Sequence, residues 1–244
     1  MLLEDDRPDS ASLERIVPDD LRVGQTTGRD TLRLHLERYQ FAKQNLVDGS
    51  VLDIACGVGY GTALLSESPL TSFAIGVDID EASIRYASRR YRKARVSYVC
   101  ADAYQFSAGQ PFDNIVSLET IEHVENPQAL FEHLVDLLAP GGHLIVSVPV
   151  TPSIDGNPHH KSNFSPTNFR NLGDAYSLTY VTCLHQVQHF SPWVVATRQE
   201  SRDASLRRNL ARFYLSNPSH LFLRLWSTLR HGFANKYLTA VWQK

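Results

Sequence analysis

Apolar residues in this chain fall into short continuous runs separated by longer stretches in which they recur every three or four positions. The runs are SVLDIAC (50–56), SFAIGVDID (72–80), VSYVCAD (96–102), DNIVSLE (113–119) and HLIVSVP (143–149). Runs of that length and β-branched content read as strands buried on both faces. Between them, DTLRLHLERYQFAKQNL (30–46), TALLSES (62–68), EASIRYASRRYRKA (81–94) and NPQALFEHLVDLLA (126–139) carry helical periodicity, and Pro140-Gly141-Gly142 reads as a turn. Strands alternating with amphipathic helices predict an α/β, doubly wound, mainly parallel sheet. Past residue 150 the rhythm breaks: a loop rich in Pro, His and Asn, a helix near 166–174, a strand near 177–186, a helical stretch over about 202–231, and a closing strand NKYLTAVWQ.

Composition narrows the class. At 244 residues, 43% apolar and 20% charged, the chain can bury a real core. The net charge of −2 argues against a general affinity for nucleic acid or an anionic membrane, leaving only local basic patches. No apolar window is long enough for a membrane span, and the start MLLEDDRPDS lacks the order of a signal peptide, so the cytoplasm is the expected compartment. Cys56, Cys100 and Cys183 have neither disulfide-framework nor zinc spacing and are expected as reduced thiols.

The chemistry-bearing residues gather at the predicted strand ends. DIACGVGYG (53–61) places glycines at 57, 59 and 61 directly after a strand, where positive φ and close ligand approach are both served by the missing Cβ. Its spacing is GxGxG, not the GxGxxG of dinucleotide sites, and Asp53 before it disfavours a pyrophosphate while suiting a cationic cofactor. Asp78 ends the next strand, placed to accept the hydroxyls of a ribose. Asp102 ends the one after, where it can accept from an adenine amino group or cap a helix.

Three acids at successive strand ends, joined to the glycine turn, resemble the class I S-adenosylmethionine-dependent methyltransferases of small-molecule and sugar-pathway type. VLDIACGVGYGTALL, GVDIDEASIRYA, CADA, FDNIVSLETIEHV and LAPGGHLIVSVP follow that family's order and spacing across most of residues 51–149. The resemblance implies a seven-stranded Rossmann-like sheet with an N-terminal arm and cap helix (1–47), and a methyltransferase domain (48–244) with a helical insertion at about 198–231. It implies S-adenosyl-L-methionine as cofactor, S-adenosyl-L-homocysteine as product, and a small-molecule acceptor. On it, Asp53, Ala55, Gly57 and Gly59 hold the methionine end, Asp78 and Ile79 the ribose, and Asp102 with Ala103 the adenine. Leu118 and Glu119 line the same pocket, and Tyr39, in a cap where ERIVPDD and HLERYQFA carry the likeness, helps close it.

Glu119, Glu122 and His123 follow the fourth strand at positions sharing one helical face. His123, with Glu122, is the candidate catalytic base for a hydroxyl acceptor, because an imidazole can take a proton at working pH. The E-x-x-E-H spacing also resembles the metal-binding motif of methyltransferases that modify the terminal ribose of small RNAs and of ubiquinone-pathway O-methyltransferases. His159 or His160 of NPHHKSNFSP would then complete a site for a divalent cation, though the reading preferred here is metal-free. Two alternatives follow: a metal-dependent RNA ribose methyltransferase, and a protein that binds S-adenosylmethionine without turnover. The segment 198–231 sets seven arginines against Glu200 and Asp203, with apolar residues interleaved. It reads as a packing helix with a basic solvated face, a lid over the acceptor, a homodimer contact, or a patch for membrane or phosphate.

Overall fold

The computed structural model describes residues 26–153, 155–189, 209–232 and 234–244, with the isolated Pro18. The arm segment ERIVPDD, apart from Pro18, and the first part of the 198–231 stretch lie outside the described residues. In chain order the elements are α1 (Thr26–Gln44), β1 (Gly49–Ile54), α2 (Tyr60–Leu65), β2 (Thr71–Asp78), α3 (Glu81–Arg90), β3 (Val96–Cys100), β4 (Phe112–Leu118), α4 (Pro127–Leu137), β5 (Leu138–Pro149), α5 (Pro166–Ala175), β6 (Thr179–His189), α6 (Leu210–Ser216), α7 (Pro218–His231) and β7 (Ala234–Gln243).

The seven strands form one sheet in the order β3-β2-β1-β4-β5-β7-β6. The first five are parallel, and β7 runs antiparallel between β5 and β6. The central strands are continuous apolar runs because both faces are covered. Leu52, Ile54 and Ile115 face a core shared with Leu130, Phe131 and Leu134 of α4 and with Phe169 of α5. Val51, Val116 and Ile145 face the opposite core, shared with Tyr39 and Ala42 of α1 and Leu65 of α2.

Local chemistry sets the boundaries. Asp80, Asn126 and Ser165 cap α3, α4 and α5 by accepting the backbone N–H of Ser83, Ala129 and Asn168, and Pro127 and Pro166 occupy the first turns of α4 and α5. The predicted turn at Pro140-Gly141-Gly142 falls within the span of β5, which begins at Leu138, as an irregularity in it: Gly141 has φ 80° and the register against β4 slips between Leu138 and His143. Long-range pairing holds it there: the Gly141 N–H donates to the Lys244 carbonyl and the Lys244 N–H to the Gly142 carbonyl, so the far end of the chain ties this bulge to the sheet. The helix expected over 81–94 ends at Arg90, the one over 62–68 at Leu65, and α1 begins before residue 30.

Candidate active site at the carboxyl edge of the sheet

From β1 the chain winds outward through β2 and β3, then returns to place β4 on the other flank of β1. The crevice where winding reverses, at the carboxyl ends of β1 and β4, is where open α/β sheets bind ligands. Two non-glycine residues with positive φ stand there, Ala55 (58°) just after β1 and Glu119 (52°) just after β4. Such backbone costs about 1–3 kcal/mol per residue and persists only where surrounding bonds impose it. At Glu119 they are identifiable: its N–H donates to Ser147 Oγ (2.9 Å), and that hydroxyl donates to Glu119 Oε1 (2.7 Å).

The three glycines serve three purposes, which corrects the expectation that all give positive φ and room for a ligand. Gly57 (φ 56°) fits that expectation, because a Cβ built there meets nothing within 4 Å. Gly59 (φ 84°) has the unusual backbone but faces protein, since its Cβ would lie 2.6 Å from the Ala87 Cβ and 2.7 Å from the Tyr98 ring. Gly61 shows no positive φ, and its Cβ would fall 1.9 Å from the Tyr39 ring. It is there so that α1 can lie against the turn.

Asp53 is fully buried; Thr62 Oγ1 donates to its Oδ2 (2.6 Å), and Tyr39 Oη lies 3.3 Å from its Oδ1. Burial pushes its carboxyl up to about 7, against the opposing hydrogen bonds from Thr62 and Tyr39. Burial also raises the Tyr39 phenol well above its ordinary value. Both residues thus support the cradle from behind. Asp78 joins two loops: its Oδ2 accepts the Gly57 N–H (2.8 Å) and its Oδ1 the Asp80 N–H (2.9 Å). Beside it Ile79 is 63% exposed, an apolar platform at the strand end. Asp102 accepts the Tyr104 N–H through Oδ1 (2.8 Å), so it caps its turn, and Ala103 beside it is half-buried.

On the other flank, Leu118 is buried, Glu122 is fully buried and His123 half-buried. The loop after β5 folds back onto this turn: the Glu122 carbonyl accepts the N–H of Lys161 (2.7 Å) and Ser162 (3.2 Å). His123 Nδ1 lies 3.3 Å from the His159 carbonyl, an acceptor that requires Nδ1 to carry the proton. Its Nε2 then holds the lone pair, 3.9 Å from Glu122 Oε1. The His160 ring meets that of His123 edge-on at 4.6 Å, and its Nδ1 is 2.7 Å from Ser153 Oγ. Glu122, His123 and His160 each offer one ligand atom, all within 4.8 Å of one another. Glu119 belongs with Ser147 instead, and His159 contributes its carbonyl.

Arg38 was not singled out from sequence. It is 1% exposed, its Nε donates to Gln186 Oε1 (2.9 Å), and its guanidinium stacks on Tyr237 at 4.4 Å. Nη1 has no hydrogen-bond partner among the described residues, and its ion pair with Glu119 Oε1 is long, 3.9 Å. A charge in register with the buried Leu34 and Ala42 of α1 was the signal available. None of the three cysteines is disulfide-bonded, and among the described residues no helix is long and apolar enough to cross a membrane.

Sheet order and crevice together match the Rossmann-like fold of methyltransferases. Residues 52–146 match the family model described as a methyltransferase domain, and over that stretch the chain is similar to class I S-adenosylmethionine-dependent methyltransferases. It is 33% identical over 117 residues to an uncharacterized methyltransferase of Mycobacterium bovis, covering 47% of this chain and 57% of that one. A ubiquinone biosynthesis O-methyltransferase of Coxiella burnetii is 36% identical over 102 residues, 40% of this chain and 42% of the relative. The chain thus spans about half the length of these curated relatives. Among solved structures, the N-methyltransferase NodS of Bradyrhizobium japonicum with S-adenosyl-L-homocysteine superposes with a TM-score of 0.61 over 96% of each chain at 20% identity, a likeness of fold.

Proposed function

We propose that this protein transfers a methyl group from S-adenosylmethionine to a hydroxyl oxygen of a small molecule, with His123 as the general base. The observation that carries the reading is the meeting of a ligand-ready cradle at Gly57 with a tautomer-fixed imidazole at His123, at the carboxyl ends of the adjacent strands β1 and β4. The residues present fit the donor. Gly57 faces open space, Asp78 supplies a buried carboxylate for ribose hydroxyls, Ile79 an exposed apolar surface, and Asp102 with Ala103 a polar strand end for adenine. Arg38 supports the charged end, because its buried Nη1 N–H groups call for an anion such as a carboxylate.

When bound, the donor supplies a methyl carbon on a sulfonium, and its transfer breaks the carbon–sulfur bond and leaves a neutral thioether. The chain's task is positioning and proton management. His123 Nε2 takes the acceptor's hydroxyl proton as the oxygen–carbon bond forms, and the Glu122 carboxylate 3.9 Å away favours the resulting imidazolium. The His159 carbonyl holds the ring orientation throughout.

A second reading rests on the Glu122, His123 and His160 cluster, whose one oxygen and two nitrogen donors suit Mn²⁺ or Zn²⁺ and would lower the pKa of an acceptor hydroxyl, as a terminal ribose on RNA requires. One experiment separates the two. Radiolabelled donor is incubated with small-molecule and RNA fractions, with and without chelator. Transfer to small molecules that survives chelation supports the base mechanism. Transfer to RNA that chelation abolishes and Mn²⁺ restores overturns it.

A further inference from the structure

Helix α7 is amphipathic the wrong way round. Phe222, Leu225, Trp226 and Leu229 recur at helical spacing on one face, yet they are 68%, 54%, 57% and 86% exposed. The opposite face is the one bolted to the protein. Arg224 Nε and Nη2 donate to the two oxygens of Asp155, both at 2.6 Å, and Nη2 also donates to the Pro152 carbonyl at 2.7 Å. Tyr214 of α6 donates to Asp155 Oδ2 at 2.6 Å, and Asp155 is 1% exposed. These bonds fix which side of the hairpin looks outward. Leu215, at the end of α6, is 86% exposed and adds to the outward apolar residues.

The charge on the hairpin selects an occupant. From residue 209 to 232 there are three arginines and no acid, in a chain whose net charge is −2. Arg224 is spent on Asp155, while Arg212 and Arg230 are exposed and no ion pair involves either among the described residues. On a helical wheel Arg230 lies beside Trp226, at the margin of the apolar stripe. A second copy of this hairpin would bring arginines against arginines with no acid to offset them. Anionic headgroups would meet the arginines while the apolar stripe sinks to the acyl boundary, with an indole at the level where tryptophans gather.

We infer that the α6–α7 hairpin docks the protein on an anionic lipid surface through Leu215, Phe222, Leu225, Trp226 and Leu229, flanked by Arg212 and Arg230. This docking is independent of the catalytic reading, because none of these side chains belongs to the crevice.

Flotation with phosphatidylglycerol–phosphatidylcholine vesicles and with phosphatidylcholine vesicles tests it. The full chain is expected to float with the anionic vesicles and to lose at least ~10-fold of that binding when Phe222→Ser, Trp226→Ser and Leu229→Ser are combined. Arg212→Glu with Arg230→Glu should weaken it similarly, as should high salt. Unchanged circular dichroism and S-adenosylhomocysteine binding would show that each variant is folded. Absence of anionic-vesicle binding, or equal binding by the triple serine variant, overturns the inference. So does a concentration-dependent dimer that the triple variant abolishes, which would assign the face to a second copy.

Discussion

The two flanks of the crevice are built on different principles. On the β1–β3 side the contacts stay between residues 39 and 104: Gly57 to Asp78, Asp53 to Thr62, Asp78 to Asp80 and Asp102 to Tyr104, with Gly59 against Tyr98 and Gly61 against Tyr39. On the β4–β7 side the turn at 119–123 is shaped by Ser147, His159, Lys161 and Arg38, and the loop after β5 is pinned by Arg224. The family model, ending at residue 146, covers the first flank and stops where the second gathers its partners. On the function proposed above, the nucleoside would sit against the first flank and the acceptor against the second.

The sharpest way to break this comparison is to disable one flank and look for damage in the other. His123→Ala should lower turnover by about 10²–10⁴ while donor affinity, measured by calorimetry with S-adenosylhomocysteine, stays unchanged. A parallel loss of donor affinity would mean the flanks are not separate. Asp78→Ala should do the reverse, weakening S-adenosylhomocysteine binding by about 1.5–3 kcal/mol because a charge-assisted hydroxyl contact is lost. The readout is again the titration, and unchanged affinity would place the ribose elsewhere.

Smaller effects distinguish positions within the donor flank. Gly61→Ala should destabilise the fold by about 1–3 kcal/mol, since its Cβ meets the Tyr39 ring. Gly57→Ala has space for its Cβ and should cost only about 1–2 kcal/mol, from its left-handed backbone, but should impair donor binding. Thermal unfolding with and without S-adenosylhomocysteine reads both. The remaining effect is spread over several units of pH. The Asp53 carboxyl, near 3.8 when unfolded, is raised to about 7 in the fold, so between those values the native state holds the extra proton. Stability of the unliganded protein should therefore fall as pH rises from about 4 to 7, by at most ~1.4 kcal/mol per unit, and then level off. In Asp53→Asn that slope should vanish from urea-unfolding measurements across the range.

How much of this was legible before the fold was seen depends on distance along the chain. The strand runs were readable because burial on both faces removes polar alternation, and so was the placing of Asp78 and Asp102 at the ends of those runs, though not the backbone N–H groups that each accepts. The Gly61 role was misread because its reason, the Tyr39 ring, arrives from a helix that precedes β1. Pro140-Gly141-Gly142 showed its turn chemistry, but not that the Lys244 backbone at the other end of the chain ties it into β5. Arg38 looked like one more helical arginine until Gln186, Tyr237 and Glu119 enclosed it.

The sequence alone therefore settled the alternation of elements and the mainly parallel sheet, since these follow from side-chain period. Only the tertiary structure decided which imidazole nitrogen bears the lone pair, where the buried guanidinium lies, and which face of α7 looks outward. Each of those depends on a partner far away in the chain, and a linear pattern does not encode which distant group will occupy the space beside it.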